Sequence, residues 1–306
     1  MRRHGLLLPF SVWLILFILL PLGLVFYYGV TVDEPIPYET IENADGTVQY
    51  RLEDGTIVDE EPWETRMVFS LANFSRVFEP MYMKLLLRSL KVALYTTLIC
   101  LFLGYPVALI LTGKHFKHRG IILMLMILPM WMNFLLRTYS WMSLLENTGI
   151  INSLLESLGF ARVKFLYNES AVVLGMVYNF LPFMVLPLYT VMEKIDHSLL
   201  EAAADLGANP FMSFVRIVLP FSVPGILEGV TMVFVPAVTT FVVSQLMGGG
   251  KVPLIGDVIQ QQFGKANDWH FGSTLSILVM VVVLAFMYAL GRTDKTDEEG
   301  EEVRLF

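Results

Sequence analysis

The sequence predicts an all-α membrane protein, a polytopic bundle of six transmembrane helices with a small extracytoplasmic insertion. Two observations support this fold class. Of the 306 residues, 55% are hydrophobic and 16% are charged, whereas soluble domains carry about 25% charged residues. The apolar residues also occur in long blocks, and a block of about 20 residues is long enough to cross a bilayer.

The six predicted spans are distributed along most of the chain. They run approximately over Leu6 to Val30, Leu90 to Thr112, Ile121 to Leu145, Ala171 to Met192, Phe221 to Met247 and Ser273 to Gly291. We interpret the first as an uncleaved anchor, because its apolar core of 25 residues exceeds the roughly 7 to 15 of a signal peptide. Prolines inside the spans indicate a bundle, in which neighbouring helices can satisfy the freed backbone groups.

Charge and cysteine content exclude several classes of function. The formal net charge of −7 provides no basic stripe for a phosphate backbone, so we expect no nucleic-acid partner. Cys100 is the only cysteine, and the five histidines form no H-E-x-x-H motif. The sequence therefore predicts neither an intrachain disulfide nor a metal site, and we expect no cofactor in this chain.

Basic residues near the spans set the expected orientation. Lys114, Lys117 and Arg119 occupy one tight loop without an acid, and Arg2 and Arg3 precede the first span. By the positive-inside rule both segments belong in the cytoplasm, and six crossings return the C-terminus to the same side. Three further bases precede the second span on its outer side, and we assign them to an interfacial helix from which long side chains can snorkel. They are Lys84, Arg88 and Lys91.

The chain thus divides into four predicted segments. Residues 1–30 are the first transmembrane helix, and residues 31–85 are an extracytoplasmic acidic insertion followed by the interfacial helix. Residues 86–291 form a five-helix core that contains a cytoplasmic loop at 194–220. Residues 292–306 form a polar cytoplasmic tail, which we expect to be disordered.

The insertion carries twelve acids against four bases. Asp45-Gly46 and Asp54-Gly55 flank an alternating stretch from Thr47 to Leu52, a pattern that predicts two tight turns in a three-stranded meander. Residues Ser70 to Leu87 show helical spacing and are predicted to lie on the membrane surface. We interpret the acidic surplus as a solvated face rather than as a device that concentrates a cationic solute, because salt screens charges beyond roughly 8 Å.

The loop between the fourth and fifth spans has a helix-turn-helix pattern. Ser198 with Glu201 makes an S-x-x-E capping box, and Gly207 stands where a helix would end in the left-handed conformation. Asn209-Pro210 then opens a second, apolar helix, since Asn caps helices and Pro suits the first helical position. The sequence predicts a rigid cytoplasmic projection that suits a groove on a partner.

This loop resembles the E-A-A-x3-G-x9-I-x-L-P loop of membrane permeases of bacterial ABC importers, which it matches without departure. The matching residues are Glu201, Ala202, Ala203, Gly207, Ile217, Leu219 and Pro220. The resemblance implies the type I ABC importer permease fold, and it implies that these residues form a coupling helix received by a separate ATPase subunit. Gly248 to Lys251 has the wrong spacing for a phosphate-binding loop, so ATP would be bound by that partner and the chain itself would not be an enzyme.

A second set of segments is similar to spermidine/putrescine permeases of the PotB type. These segments include Leu136 to Trp141, Gly149 to Asn152, Ile259 to Phe263 and Asn267 to Gly272. The similarity implies a bacterial inner-membrane importer with a sister permease, two copies of the ATPase and an extracytoplasmic polyamine-binding protein, all surrounded by membrane lipid. The acidic insertion from about Asp33 to Arg66 departs from the compact outer loop of that family.

A polyamine is a flexible polycation, which carboxylates and aromatic faces would hold best. Glu228 lies inside the fifth span, where a lipid-facing charge costs about 2.5 to 3.5 kcal/mol, so we expect it to face the bundle interior or a wet cavity. It is either a transient cation site or a buried partner of a polar neighbour. Weaker candidates, for which interhelical hydrogen bonding is the favoured role, are Tyr178, Asn179, Asn133, Ser244 and Gln245.

Three alternatives remain open on the sequence. A permease of the same family could carry another small solute, and the sequence does not distinguish spermidine from putrescine. An ion-coupled carrier would show repeated halves with broken helices, and we find no clear internal repeat. An intramembrane enzyme could use Glu228 or Glu193 as acid or base, but it would need a second group at matching depth, and no convincing dyad is present.

Overall fold

The protein is mainly α-helical, with long apolar helices, as the sequence predicts. The computed structural model describes residues 3–42, 48–52, 55–59, 65–113 and 118–304. Within these ranges, five helices are long and apolar enough to cross a membrane, and a pair of helices bent by 100° makes a sixth if the pair crosses as one span. Contacts divide the chain into one unit of residues 1–83 with 259–280, and a second of residues 84–258 with 281–306.

The first unit begins with a continuous helical span. Its parts are α1 (Arg3–Leu14), a π-helical turn (Ile15–Leu19) and α2 (Leu20–Gly29). After the acidic insertion comes the short helix α3 (Ala72–Val77). The later residues of this unit form a π-helical turn (Gln262–Ala266) and the start of α14 (Trp269–Arg304).

The insertion contains two small antiparallel sheets. Strands β2 (Tyr38–Glu42), β3 (Val48–Leu52) and β4 (Ile57–Val58) form the predicted three-stranded meander. Gly55 has a φ of +85° in the turn before β4, whereas Asp45-Gly46 and Asp54 lie outside the described residues. Strands β1 (Thr31–Pro35) and β5 (Thr65–Phe69) pair into a second sheet that the sequence analysis did not predict.

A buried histidine joins three parts of the first unit. His270 on α14 places Nε2 3.2 Å from Oδ1 of Asp33 on β1. Its Nδ1 lies 3.1 Å from the Tyr28 carbonyl oxygen and 3.1 Å from Oγ1 of Thr31. The Thr274 hydroxyl donates to the Gly29 carbonyl over 3.1 Å. These bonds attach the end of the first span and the beginning of the insertion to the last span.

The second unit holds the remaining helices. They are the rest of α4 (Pro80–Leu111), α5 (Arg119–Ile127) with a 3-10 turn (Leu128–Trp131), α6 (Phe134–Leu145), α7 (Ile150–Ser157), α8 (Glu169–Met192), α9 (His197–Asp205), α10 (Pro210–Ser213) with a π-helical turn (Phe214–Val218), α11 (Leu219–Thr239), α12 (Val242–Gly248) and α13 (Ile255–Gln261). Helix α8 is the most buried span, with 61% of its most apolar window inside the protein. It is therefore the core of this unit.

Glycines allow neighbouring helices to approach α8 closely. A Cβ on Gly229 of α11 would lie 2.7 Å from Sδ of Met184, and one on Gly104 of α4 would lie 3.1 Å from Cγ of the same residue. A Cβ on Gly175 of α8 would overlap the Met247 side chain of α12. Small residues at helix contacts are typical of membrane bundles, where association depends on close packing.

Four predictions differ from the structure. The interfacial helix predicted over Ser70 to Leu87 is instead α3 followed by the first turns of α4, which begins at Pro80, a residue that suits the first turn of a helix. The third span bends by 100° between Trp131 and Phe134. The fifth span ends at Thr239, since Thr240 is extended with ψ 142°, and α12 is a separate helix. The tail expected to be disordered continues α14 as far as Arg304.

Candidate functional site

The predicted coupling loop forms a short helix, a sharp turn and a second helix. Helix α9 begins at His197, two residues earlier than a helix capped by Ser198 would begin. Its cap is Asp196, whose carboxylate accepts from the Ser198 backbone N–H over 2.9 Å. The predicted Ser198 capping box is therefore wrong, because the preceding acid satisfies the free N–H groups instead.

The turn after α9 has the geometry that the sequence predicts. Gly207 has a φ of +82°, and a Cβ there would meet no atom within 4 Å. The Gly207 and Ala208 N–H groups donate to the Ala204 and Ala203 carbonyls over 2.9 Å each, which is the pairing of a Schellman end. Asn209 then caps α10 by accepting from the Met212 N–H over 2.8 Å. The projection is thus held by its own backbone bonds.

Large apolar side chains on this projection are uncovered. Leu206 is 89% exposed and Phe211 is 75% exposed, and Leu199, Met212 and Val215 are also exposed. The predicted coupling residues divide by exposure, with Ala203 and Ile217 half-buried and the others exposed: Glu201, Ala202, Gly207, Leu219 and Pro220. An exposed apolar surface of this kind marks a site where a partner or a membrane packs.

The projection continues into the fifth span without a break. Residues Phe214–Val218 form a π-helical turn between α10 and α11, and Tyr105 of α4 contacts both sides of it. The Tyr105 hydroxyl lies 2.9 Å from Oγ of Ser222, and its ring stands edge-on to Phe214 with centroids 5.8 Å apart. At the same end of the bundle, Arg119 pairs with Glu193 over 3.0 Å. Sequence reasoning missed Tyr105, since nothing in the chain marks its long-range partners.

Glu228, the leading candidate for a cation contact, lies on an exposed face of α11. Phe221, Pro224 and Met232 are exposed on the same helix at the spacing of one face. Neighbouring Gly229 faces Met184 of α8 instead. The expectation that Glu228 faces the bundle interior is therefore not met within this single chain, and a partner or a wet space must cover it.

Tyr178 is half-buried and its ring already has two neighbours. The Trp141 ring lies 4.9 Å away between centroids, and the Arg137 guanidinium lies 5.8 Å from the Tyr178 centroid. Arg137 is 8% exposed and donates to the Pro129 carbonyl over 3.0 Å, so it supports the bend in the third span. This arginine was a charged residue inside an apolar run, a signal that the sequence analysis did not use.

The two candidate asparagines have local structural roles. Asn133 caps α6 by accepting from the Leu135 N–H over 2.8 Å, directly after the bend. Asn179 is 1% exposed, and its amide donates to the Gly175 carbonyl one turn earlier on α8 over 2.7 Å. Both bonds lie within single helices, whereas the role favoured from the sequence was hydrogen bonding between helices.

Gln245 and Ser244 lie beside a buried carboxylate that the sequence analysis missed. Asp257 of α13 is 4% exposed and accepts from the Leu254 N–H over 2.8 Å. Burial raises the pKa of Asp257, while hydrogen bonds from the Leu254 backbone and from Ser244 and Gln245 act in the opposite direction. The described residues include no group of three His, Cys, Asp or Glu side chains placed to hold a metal ion.

The amino-acid sequence matches a known family over most of its membrane core. Residues 93–292 match the family described as "Binding-protein-dependent transport system inner membrane component". The spermidine/putrescine transport system permease protein PotB of Escherichia coli K12 is 46% identical over 220 residues, which cover 71% of this chain and 80% of that protein. The PotB protein of Haemophilus influenzae is 43% identical over 72% of this chain and 78% of its own length.

Solved structures resemble the fold at low sequence identity. A bacterial ABC transporter that imports the acidic polysaccharide alginate contains a chain with a TM-score of 0.72 and 16% identity, covering 96% of this chain and 94% of that one. The same kind of transporter in complex with an alginate pentasaccharide-bound periplasmic protein gives a TM-score of 0.72 at 15% identity. These likenesses concern the fold.

Proposed function

Because the chain belongs to the family of binding-protein-dependent transport system inner membrane components and is a permease subunit of an ABC importer, we propose that it carries polyamines and that α9 couples it to a separate ATPase. The polyamine assignment is supported by the 46% identity to a permease named for spermidine and putrescine. The coupling assignment is supported mainly by the observation that the matching loop folds into a self-capped projection with uncovered apolar side chains.

The projection has the properties that a docking element needs. Its backbone bonds hold it in one conformation without a partner, so little ordering entropy is lost on binding. Leu206, directly after α9, and Phe211 on α10 offer apolar area to a groove, and the exposed Glu201 and Ala202 lie on α9. ATP binding by a pair of ATPase subunits would move the docked helix, and the spans would follow by rigid-body motion. The driving free energy is the differential affinity of ATP for the closed pair.

Glu228 supplies the proposed contact for the transported cation. A carboxylate on an exposed helix face within a membrane span needs a polar environment, and a sister permease packed on that face would enclose it. The exposed apolar neighbours Phe221 and Met232 would then form part of the interface between the two permeases. An extracytoplasmic binding protein would deliver the polyamine to the opposite end of this path.

The proposed orientation places the coupling loop and both termini in the cytoplasm. It rests on the basic loop from Lys114 to Arg119 and on Arg2 and Arg3. The membrane is the bacterial inner membrane, in agreement with the description of the matching family.

Crosslinking tests the coupling assignment directly. The native Cys100 is buried, so a cysteine introduced by A203C can be addressed selectively in the full transporter. We expect A203C to crosslink to the co-purifying ATPase subunit and to be protected from an impermeant reagent in right-side-out vesicles. The matched control is S157C on the exposed end of α7, which should react with the reagent and never reach the ATPase. Labelling of A203C from outside would contradict the proposal.

Transport measurements test the substrate. Proteoliposomes with the complete transporter should accumulate labelled spermidine or putrescine only with internal ATP and the external binding protein. Replacement by E228Q should lower uptake by about tenfold, the loss of one charge-assisted contact, while ATPase docking persists. ATP-driven uptake of an anionic or neutral solute in place of polyamines would contradict the substrate assignment and leave the coupling assignment intact.

A further inference from the structure

The junction between the coupling projection and the fifth span has an unusual backbone. Residues Phe214–Val218 form a π-helical turn, with α10 before it and α11 after it. π-helical turns are frequent at functional positions, and the described residues contain two more, at Ile15–Leu19 and Gln262–Ala266. Motion applied to α9 and α10 must pass through this turn to reach α11.

Tyr105 contacts the junction on both sides of the π-helical turn. Its ring packs edge-on against Phe214 at the start of the turn, with centroids 5.8 Å apart. Its hydroxyl reaches Ser222, beyond the end of the turn, over 2.9 Å. The turn is therefore bracketed by one side chain of the second span.

Tyr105 is the donor in its hydrogen bond to Ser222, because Ser222 donates its own proton elsewhere. The Ser222 hydroxyl donates to the Leu219 carbonyl over 2.8 Å, which uses its only proton. The Tyr105 hydroxyl is therefore the donor, and Ser222 accepts. Ser222 is 0% exposed, so water cannot replace the tyrosine as donor at low cost.

The second span is firmly held beside Tyr105. Gly104, the preceding residue, packs so closely on α8 that a Cβ would lie 3.1 Å from Cγ of Met184 and 3.2 Å from Cγ2 of Val185. Tyr105 thus projects from a part of α4 that is fixed to the core helix of the unit. A displacement of the junction would be resisted or shared through this side chain.

We propose that Tyr105 is a positioning residue that makes the second span and the coupling junction move together. The inference rests on the proposed coupling function of α9. Without the Tyr105 to Ser222 bond, the π-helical turn would absorb part of the displacement imposed by the ATPase. ATP hydrolysis would then continue while fewer hydrolysis events move solute.

The test is the number of solute molecules transported per ATP hydrolysed by the complete transporter in proteoliposomes. Y105F keeps the ring against Phe214 and removes the donor, and S222A removes the acceptor. Each should lower the transport ratio about threefold, the order expected for one hydrogen bond, with ATPase activity still stimulated by the loaded binding protein. The matched control is Y95F, on an exposed tyrosine of the same helix, which should leave the ratio unchanged.

The double variant Y105F/S222A distinguishes a shared bond from two separate effects. Its ratio should be no lower than that of the worse single variant, because both changes remove the same interaction. Unchanged ratios in Y105F and S222A, or effects that multiply in the double variant, would overturn the role of Tyr105. A wild-type complex without ATP-driven uptake would instead overturn the proposed function on which that role rests.

Discussion

At the scale of single residues, Gly207 adopts a backbone conformation that favours glycine. Its φ of +82° lies in the left-handed region, and the space around it is open. A side chain at this position would therefore meet no steric obstacle, and its cost would come from the backbone conformation alone, about 1 to 2 kcal/mol for a residue other than glycine. The chain can relieve this unfavourable conformation by turning α9 away from its docking position.

We predict that G207V lowers ATP-driven uptake by more than tenfold while leaving solute binding to the external binding protein unchanged. Uptake in proteoliposomes and binding to the isolated receptor measure the two effects. The matched control is G159V, because Gly159 has a φ of +84° and is equally open, but follows α7 outside the coupling loop. Loss of uptake in both variants would indicate general misfolding, and full uptake by G207V would contradict the coupling role of the turn.

Asp257 gives a prediction about pH. Burial raises its pKa in the folded protein, so folding disfavours the ionised form of the carboxyl group. The folded protein is therefore destabilised as the pH rises above about 3.9, the pKa of an aspartate in the unfolded chain. We predict that D257N, whose amide oxygen can still accept from the Leu254 N–H, raises the melting temperature at pH 7.5 and not at pH 3.5. The measurement is thermal unfolding in detergent at both pH values. An equal rise in melting temperature at the two pH values would show that ionisation of Asp257 is not the cause of the destabilisation.

At the scale of helices, the α8–α11 contact depends on the absence of side chains. A Cβ on Gly229 would lie 2.7 Å from Sδ and 3.4 Å from Cα of Met184, so only the flexible methionine end can yield. We predict that G229V destabilises the protein by about 1 to 3 kcal/mol, the usual cost of overpacking, visible as a lower melting temperature. G23V on α2 is the matched control, because a Cβ at Gly23 meets no atom within 4 Å. An unchanged melting temperature for G229V would mean that α11 does not pack as described.

The helices also show which parts of the structure could be predicted from sequence. The apolar run predicts the start of α8 to within two residues. The helix begins at Glu169 because the Asn168 side chain caps it there. The bend in the third span escaped prediction, since Pro129 alone does not show that Asn133 will cap a new helix or that Arg137 will bond to the freed carbonyl. The structural roles of Gly207 and Asn209 can be predicted because they depend on neighbouring residues in the sequence. The roles of Tyr105 and Asp257 cannot, because their partners are far away in the chain.

At the scale of the whole molecule, the acidic insertion can be separated from the transport core. The matched family segment begins at residue 93, and the open end of the β1–β5 sheet lies where Pro35 pairs with Thr65. Asp33, which contacts His270, precedes this point. Residues 36–64 can therefore be replaced by a two-residue Asn-Gly turn that closes β1 and β5 into a hairpin, with the contact to the last span retained.

We predict that this shortened protein folds and transports polyamine at a rate within about twofold of the full chain, because a solvated acidic face is screened at physiological salt. Uptake against solute concentration, at low and at physiological ionic strength, is the measurement. The control is H270A in the full chain, which should lower the melting temperature because it leaves Asp33, Thr31 and the Tyr28 carbonyl without their buried partner. If the shortened protein instead needs a much higher solute concentration at low ionic strength only, the insertion concentrates cations near the membrane, and the solvated-face interpretation is wrong.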